Sequence, residues 1–144
     1  MLAMLGLCCR VSEGVIGAVA GVRTLALLSI AGGAAKASDP GAVGAVGDLL
    51  LETGGSFTLL SASCFAIGST CFSYLFLRAR SIPILLAWVG VVASVLLVIA
   101  LPLELAGLLR GPVTQFVWLP MVLFEVPLAV WLLAKGVRPA ADQL

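Results

Sequence analysis

TGGSFTLLSASCFAIGSTCFSYLFL, residues 53–77, holds no charged side chain and ends just before Arg78 and Arg80. About 20 apolar residues at 1.5 Å each cross the roughly 30 Å hydrocarbon core of a bilayer, and this run is longer than that. Residues 81–103 are again uncharged and open with Ile82-Pro83. Two such runs joined by a short basic connector read as a transmembrane helical hairpin, with Arg78 and Arg80 at its water-facing turn.

Working outward, two more segments have the same character. Residues 112–135 are interrupted by one charge before Lys135, that of Glu125, and follow Arg110. The N-terminal segment, residues 2–33, is apolar throughout except for Arg10, Glu13 and Arg23. Its register is open, because a helix of that length measures roughly 48 Å and must tilt or protrude. The expected fold is therefore all-α, an integral membrane helical bundle of about four transmembrane helices. It forms one domain over residues 1–144, with spans near 2–33, 53–77, 82–104 and 112–135. Residues 37–47, rich in Gly and holding Asp39-Pro40, read as a short exposed loop.

Composition supports lipid as the outer solvent. Of the 144 residues, 62% are hydrophobic and 10% charged, whereas a soluble domain has about 45–50% and about 25%. A net charge of +1 with no Lys/Arg cluster argues against a nucleic-acid partner. Histidine is absent, and Cys8, Cys9, Cys64 and Cys71 form no CxxC pair. No metal site and no cofactor is expected, since zinc and haem lack their usual ligands. The opening MLAMLGLCC lacks the basic n-region and small-residue cleavage site of a signal peptide, so it reads as helix.

Cytoplasmic loops retain Lys and Arg. Arg78, Arg80, Lys135 and Arg138 fall on one side of a four-span topology and Lys36 and Arg110 on the other. The chain is expected to have both termini in the cytoplasm.

Three charges lie where a bilayer tolerates them poorly: Arg10, Glu13 and Glu125. Glu125 sits near the middle of the last span, bracketed by Pro120 and Pro127, and must be paired, protonated or wet. Helices interrupted beside a midplane acid recur in transporters. The plainer alternative is one ion pair that fixes helix packing. Glu125 lies about 15 Å from Lys135, and Arg10 lies about 14 Å from Met1, at the matching depth. A span starting near Gly14 would bring Arg23 to that depth instead. For a simple pair, Glu125→Gln alone should harm folding more than the same change combined with Arg10→Gln.

Arg10 and Glu13 share a helical face with Gly14, Gly17 and Gly21, a stripe expected to face protein. Ser61, Cys64, Gly68 and Cys71 form a similar small face, whose ordinary use is helix packing. Trp88, Trp118 and Trp131 suit interfaces or bundle seams, and Glu104 suits the outer end of its span. No phosphate loop, Ser-His-Asp set or HExxH helix is present.

The stretch SYLFLRARSIPILLAWVGV, residues 73–91, resembles the Tyr, Arg, Ile-Pro hinge of the bacterial membrane family catalogued as domain of unknown function 4386. FEVPLAVWLLAKGV, residues 124–137, resembles its closing Glu, then Trp-Leu-Leu-x-Lys-Gly, and CCRVSEGVIG, residues 8–17, its Arg and Glu helix. The resemblance places Tyr74, Arg78, Pro83, Glu125, Trp131, Lys135 and Gly136 on the family pattern, with Arg10 and Glu13 as counterparts. The second basic residue, Arg80, departs from it. The resemblance implies a bacterial inner-membrane protein with further spans before this start, so an N-terminally shortened member, and carries no assigned activity.

Together these features suggest a bundle that acts by binding or assembling within the membrane, with no chemistry of its own. Its partners would be the lipid bilayer and a second copy or another membrane protein. The alternative is a small transporter or proton-coupled permease centred on Glu125, and a membrane enzyme comes third.

Overall fold

The computed structural model describes residues 1–33, 39–109 and 111–136. Lys36, Arg110 and Arg138, used in the orientation count, lie outside them. The described chain forms α1 (Leu2–Gly33), α2 (Pro40–Ala79), α3 (Ile84–Leu105), a single turn α4 (Val113–Phe116) and α5 (Leu119–Lys135), with no strand among the described residues. Four segments are long and apolar enough to cross a membrane: Leu2–Gly33, Gly41–Ala79, Ile84–Leu105 and Val113–Lys135. The protein is an all-helical integral membrane bundle.

α2 is the central element, with α1 on one side and α3 on the other, and α5 packs on α3. Small residues make the α2–α3 contact close. Ala66, Ser73, Ala87, Ala93, Ser94 and Leu97 are fully buried. Buried α3 residues recur as Ala87, Gly90, Ala93, Ser94, Leu97, Ala100 and Leu101, one stripe at helical spacing. Gly90 is required there, because a Cβ would collide with the Phe124 ring of α5 and with Ser73. Hydroxyls inside this apolar setting donate back along their own helix: Ser63 to the Leu59 carbonyl at 2.8 Å, Thr70 to that of Ala66 at 2.8 Å, and Ser94 to that of Gly90. Outward side chains are apolar, as lipid demands: Leu85 (76%) and Leu133 (90%) are largely exposed.

The loop expected at 37–47 is helical from Pro40 onward. Asp39 caps α2, its Oδ1 accepting from the backbone N–H of Gly41 (3.0 Å) and Ala42 (3.1 Å), and proline at the first helical position gives up a donor that has no helical partner anyway. Asp39-Pro40 is therefore a helix start, and the glycines that follow are carried as helix. At the other end, Arg80 takes a left-handed conformation (φ 48°) that stops α2, and Ile82 of the hinge turns into the core.

The last span runs Val113–Lys135 as one apolar segment with an internal break. It is divided at Val117 and Trp118, so Pro120 lies in the first turn of α5, and Pro127 alone is inside the helix.

Helix lengths and charged residues define two ends of the apolar part of the bundle. α3, at 22 residues, is about 33 Å long, whereas α2, at 40, is about 60 Å. The end of α3 meets α2 near Ser56 and Leu60, since Leu101 and Leu105 share a groove with them. Arg23 reaches the Leu50 carbonyl at 2.9 Å, so it lies beyond that level, near Glu52. Arg23, Glu52 and Glu104 thus mark one boundary, and Arg78, Arg80 and Lys135 the other. Residues 24–33 and 40–52 extend past the end of α3 as a paired helical projection. Between the boundaries lie only three described charges: Arg10, Glu13 and Glu125.

Candidate functional site

α1 approaches α2 through its smallest residue. Gly6 is the one buried residue of α1, set against Cys71 and Phe72. One turn on, the aliphatic stem of Arg10 crosses Gly68, where a Cβ would lie 3.3 Å from Arg10 Cγ and 3.3 Å from the Gly6 carbonyl. Ser61 lies further along the seam, its Oγ donating to the Glu13 carbonyl at 3.4 Å. Of the small face expected to pack, Gly68 and Cys71 are buried, and Ser61 and Cys64 are half-buried.

The stem carries the Arg10 guanidinium into the angle between α1, α2 and α5. Nη1 donates to Glu13 Oε2 at 3.0 Å, one turn along the same helix. Nη2 donates to Ser69 Oγ at 3.0 Å on α2 and to Glu125 Oε1 at 3.1 Å on α5. Arg10 Cζ stands 4.5 Å from the centroid of the Phe65 ring, a cation–π contact. One cation thus serves two carboxylates, a hydroxyl and an aromatic face, and the group carries one negative charge more than it neutralises. Its side chains remain partly open, Arg10 by 33%, Glu13 by 28% and Glu125 by 41%. Glu13 Oε1 and Glu125 Oε2 accept no hydrogen bond among the described residues.

The depth argument left two arginines open, and the geometry selects Arg10. Arg23 lies at the end of the bundle opposite Arg78 and Lys135, its guanidinium packed against Gly54 and donating to the Leu50 carbonyl. The glycine stripe needs correction. Gly14, Gly17 and Gly21 are exposed, and a Cβ at each would meet nothing within 4 Å. Arg10 and Glu13 point to α2 and α5, and Gly17 follows on the α2 side, but it borders an open groove and makes no close helix contact.

Beside Glu13 opens a groove of about 290 Å³ between α1 and α2, lined by Glu13, Gly17, Ala20, Phe57, Thr58, Ser61, Ala62, Phe65 and Trp118. Trp118 leans on Phe65 with ring centroids 5.9 Å apart at 42°. Sequence reasoning missed Ser69, Phe65 and Trp118 as members of the site. Ser69 and Phe65 are one turn apart beside Gly68, so the small face itself was the available signal. Trp131 lies elsewhere, under Lys135 at 4.9 Å, and Trp88 faces outward.

All four cysteines are free thiols, and no group of three metal-ligating side chains occurs among the described residues.

Comparison with curated proteins and with solved structures returns no match. The sequence pattern described as Domain of unknown function (DUF4386) matches residues 1–136. That match runs through all three charges of the site and nearly the whole chain, so this protein belongs to the DUF4386 family.

Proposed function

We propose that the chain acts by binding within the membrane, without chemistry of its own, through the side of the bundle where α1 meets α2 and α5. The observation that supports this reading is the unequal seating of α1. It buries one residue in 32, is joined to α5 through Arg10 and Glu125, and leaves a groove open beside the unbalanced charges. A helix that served only to complete the core would bury an apolar stripe as α3 does.

The reading includes a bacterial inner-membrane location with both termini cytoplasmic, in keeping with the basic boundary at Arg78, Arg80 and Lys135. Its partners are the bilayer and a ligand, a second copy or another membrane protein seated on this side. Gentle detergent extraction followed by mass measurement of the intact particle tests it. The expected particle exceeds the 14.7 kDa of the chain by a defined ligand, protein or second copy. A bare chain under conditions that preserve known membrane complexes would defeat the proposal. A reporter fused after Leu144 that works only outside the cytoplasm would reverse the orientation.

A second reading, a proton-coupled permease centred on Glu125, draws on the two carboxylates that share one guanidinium. Proton uptake into vesicles holding the purified chain, lost in Glu125→Gln, is its test.

A further inference from the structure

We infer that the groove beside Glu13 takes a small lipophilic monovalent amine, its ammonium on Glu13 and its apolar body along Phe57, Phe65 and Trp118. This rests on the binding reading above and names the ligand class.

The sign of the ligand follows from the charges. Arg10 holds one oxygen each of Glu13 and Glu125 and has no further charge to give. A net negative group at mid-bilayer is costly, and one added positive charge removes the imbalance. Arg23 is the next cation along α1, ten residues or about 15 Å from Glu13, and its Nη1 is turned to the Leu50 carbonyl. It cannot supply that charge. It also limits the ligand to one ammonium, since the groove lining stops at Ala20, a turn before Arg23.

Apart from the Trp118 indole N–H, the polar groups of the lining accept rather than donate. Glu13 lines the groove with Oε1 unpartnered among the described residues. Thr58 Oγ1 already donates to the Gly54 carbonyl at 3.0 Å and Ser61 Oγ to that of Glu13 at 3.4 Å. Both hydroxyls keep lone pairs for an N–H and have no proton for an anion. The aromatic lining favours a cation, because ring faces attract positive charge, most strongly away from water. At about 290 Å³ the groove lies at the small end of ligand sites. That suits one short hydrophobic amine and excludes a two-chain lipid.

The test uses the full chain in phosphatidylcholine nanodiscs, with three probes of equal body and different charge: 4-phenylbutylamine, 4-phenylbutanol and 4-phenylbutyrate. Binding is measured by calorimetry after subtraction of empty nanodiscs. The amine should saturate at one per chain and bind about tenfold or more tighter than the alcohol, with no binding of the carboxylate. Glu13→Gln should remove that preference. Because Glu13→Gln also disturbs the ion-pair group, Gly17→Leu is the second variant. It adds bulk to the groove wall where nothing stands within 4 Å and leaves all three charges in place. It should weaken amine binding about tenfold or more, with unchanged helicity. Equal binding of amine and alcohol, or undiminished binding in Gly17→Leu, overturns the inference. So does proton uptake without amine binding, which favours the permease. If intact-mass measurement finds a bound lipid or protein that the amine does not displace, the binding reading stands and the amine is wrong; a bare chain defeats both.

Discussion

The two sides of α2 are built on opposite principles. Toward α3 the contact is dry and dense, made of Ala66, Ala87, Ala93 and Leu97 with no exposed surface and locked by Gly90 under Phe124. Toward α1 it runs long but shallow and polar, burying little of α1 beyond a seam at Gly6 and Gly68 followed by a guanidinium spread over two acids. In lipid there is no hydrophobic force to press helices together, so contact must come from close packing or from polar groups. The bundle uses the first to hold α2, α3 and α5 and the second to attach α1. An element that buries little apolar surface opens most easily, and the site sits at that edge.

The sharpest way to break the contrast is Gly90→Leu. The side chain would enter the Phe124 ring, so overpacking should cost about 3 kcal/mol and lower the thermal midpoint of the whole bundle in detergent. A midpoint near wild type would mean that the dry side is not the foundation.

Arg10→Gln attacks the other side. Two carboxylates then face each other without a cation, and about 2 kcal/mol should be lost, below the range for fully buried pairs because a third of Arg10 is open. The loss should appear as faster protease cleavage within α1, with α2 and α3 still protected. Global unfolding would show instead that α1 is integral to the core.

Glu125→Gln is milder here than a simple pair implies. It removes the surplus charge and leaves Arg10 and Glu13 matched, so about 1 kcal/mol is expected, the worth of one charge-assisted hydrogen bond. The double change with Arg10→Gln strands Glu13 and should be worse than Glu125→Gln alone, the reverse of the two-residue expectation. A double-mutant cycle read by thermal midpoint decides between them.

The smallest effect lies away from both faces. Arg80 holds φ 48°, which a side chain disfavours. Arg80→Gly should raise stability by up to about 1 kcal/mol in detergent melting. No gain would mean that its charge or side chain compensates the backbone cost.

Much of the site was legible in the sequence because charge is conspicuous among apolar residues: Arg10, Glu13 and Glu125 stood out by depth alone. Their sharing of one guanidinium was not legible, since depth matches residues in pairs and says nothing of rotation about a helix axis. For the same reason Gly14, Gly17 and Gly21 looked like a packing face and turn out to be open.

The sequence by itself determined the number of spans, because the thickness of hydrocarbon sets how many uncharged residues must run together. It also determined the all-helical class, since lipid leaves no other partner for most backbone groups of so short a chain. The start of α2 at Pro40 is local, set by the Asp39 cap, although the glycines that follow hid it in the sequence. Tertiary structure alone decided that Arg23 meets the Leu50 carbonyl while Arg10 joins the acids. That outcome depends on the register of α1 against α2, fixed where Gly6 meets Gly68, and close contact between two surfaces is a property of their three-dimensional fit.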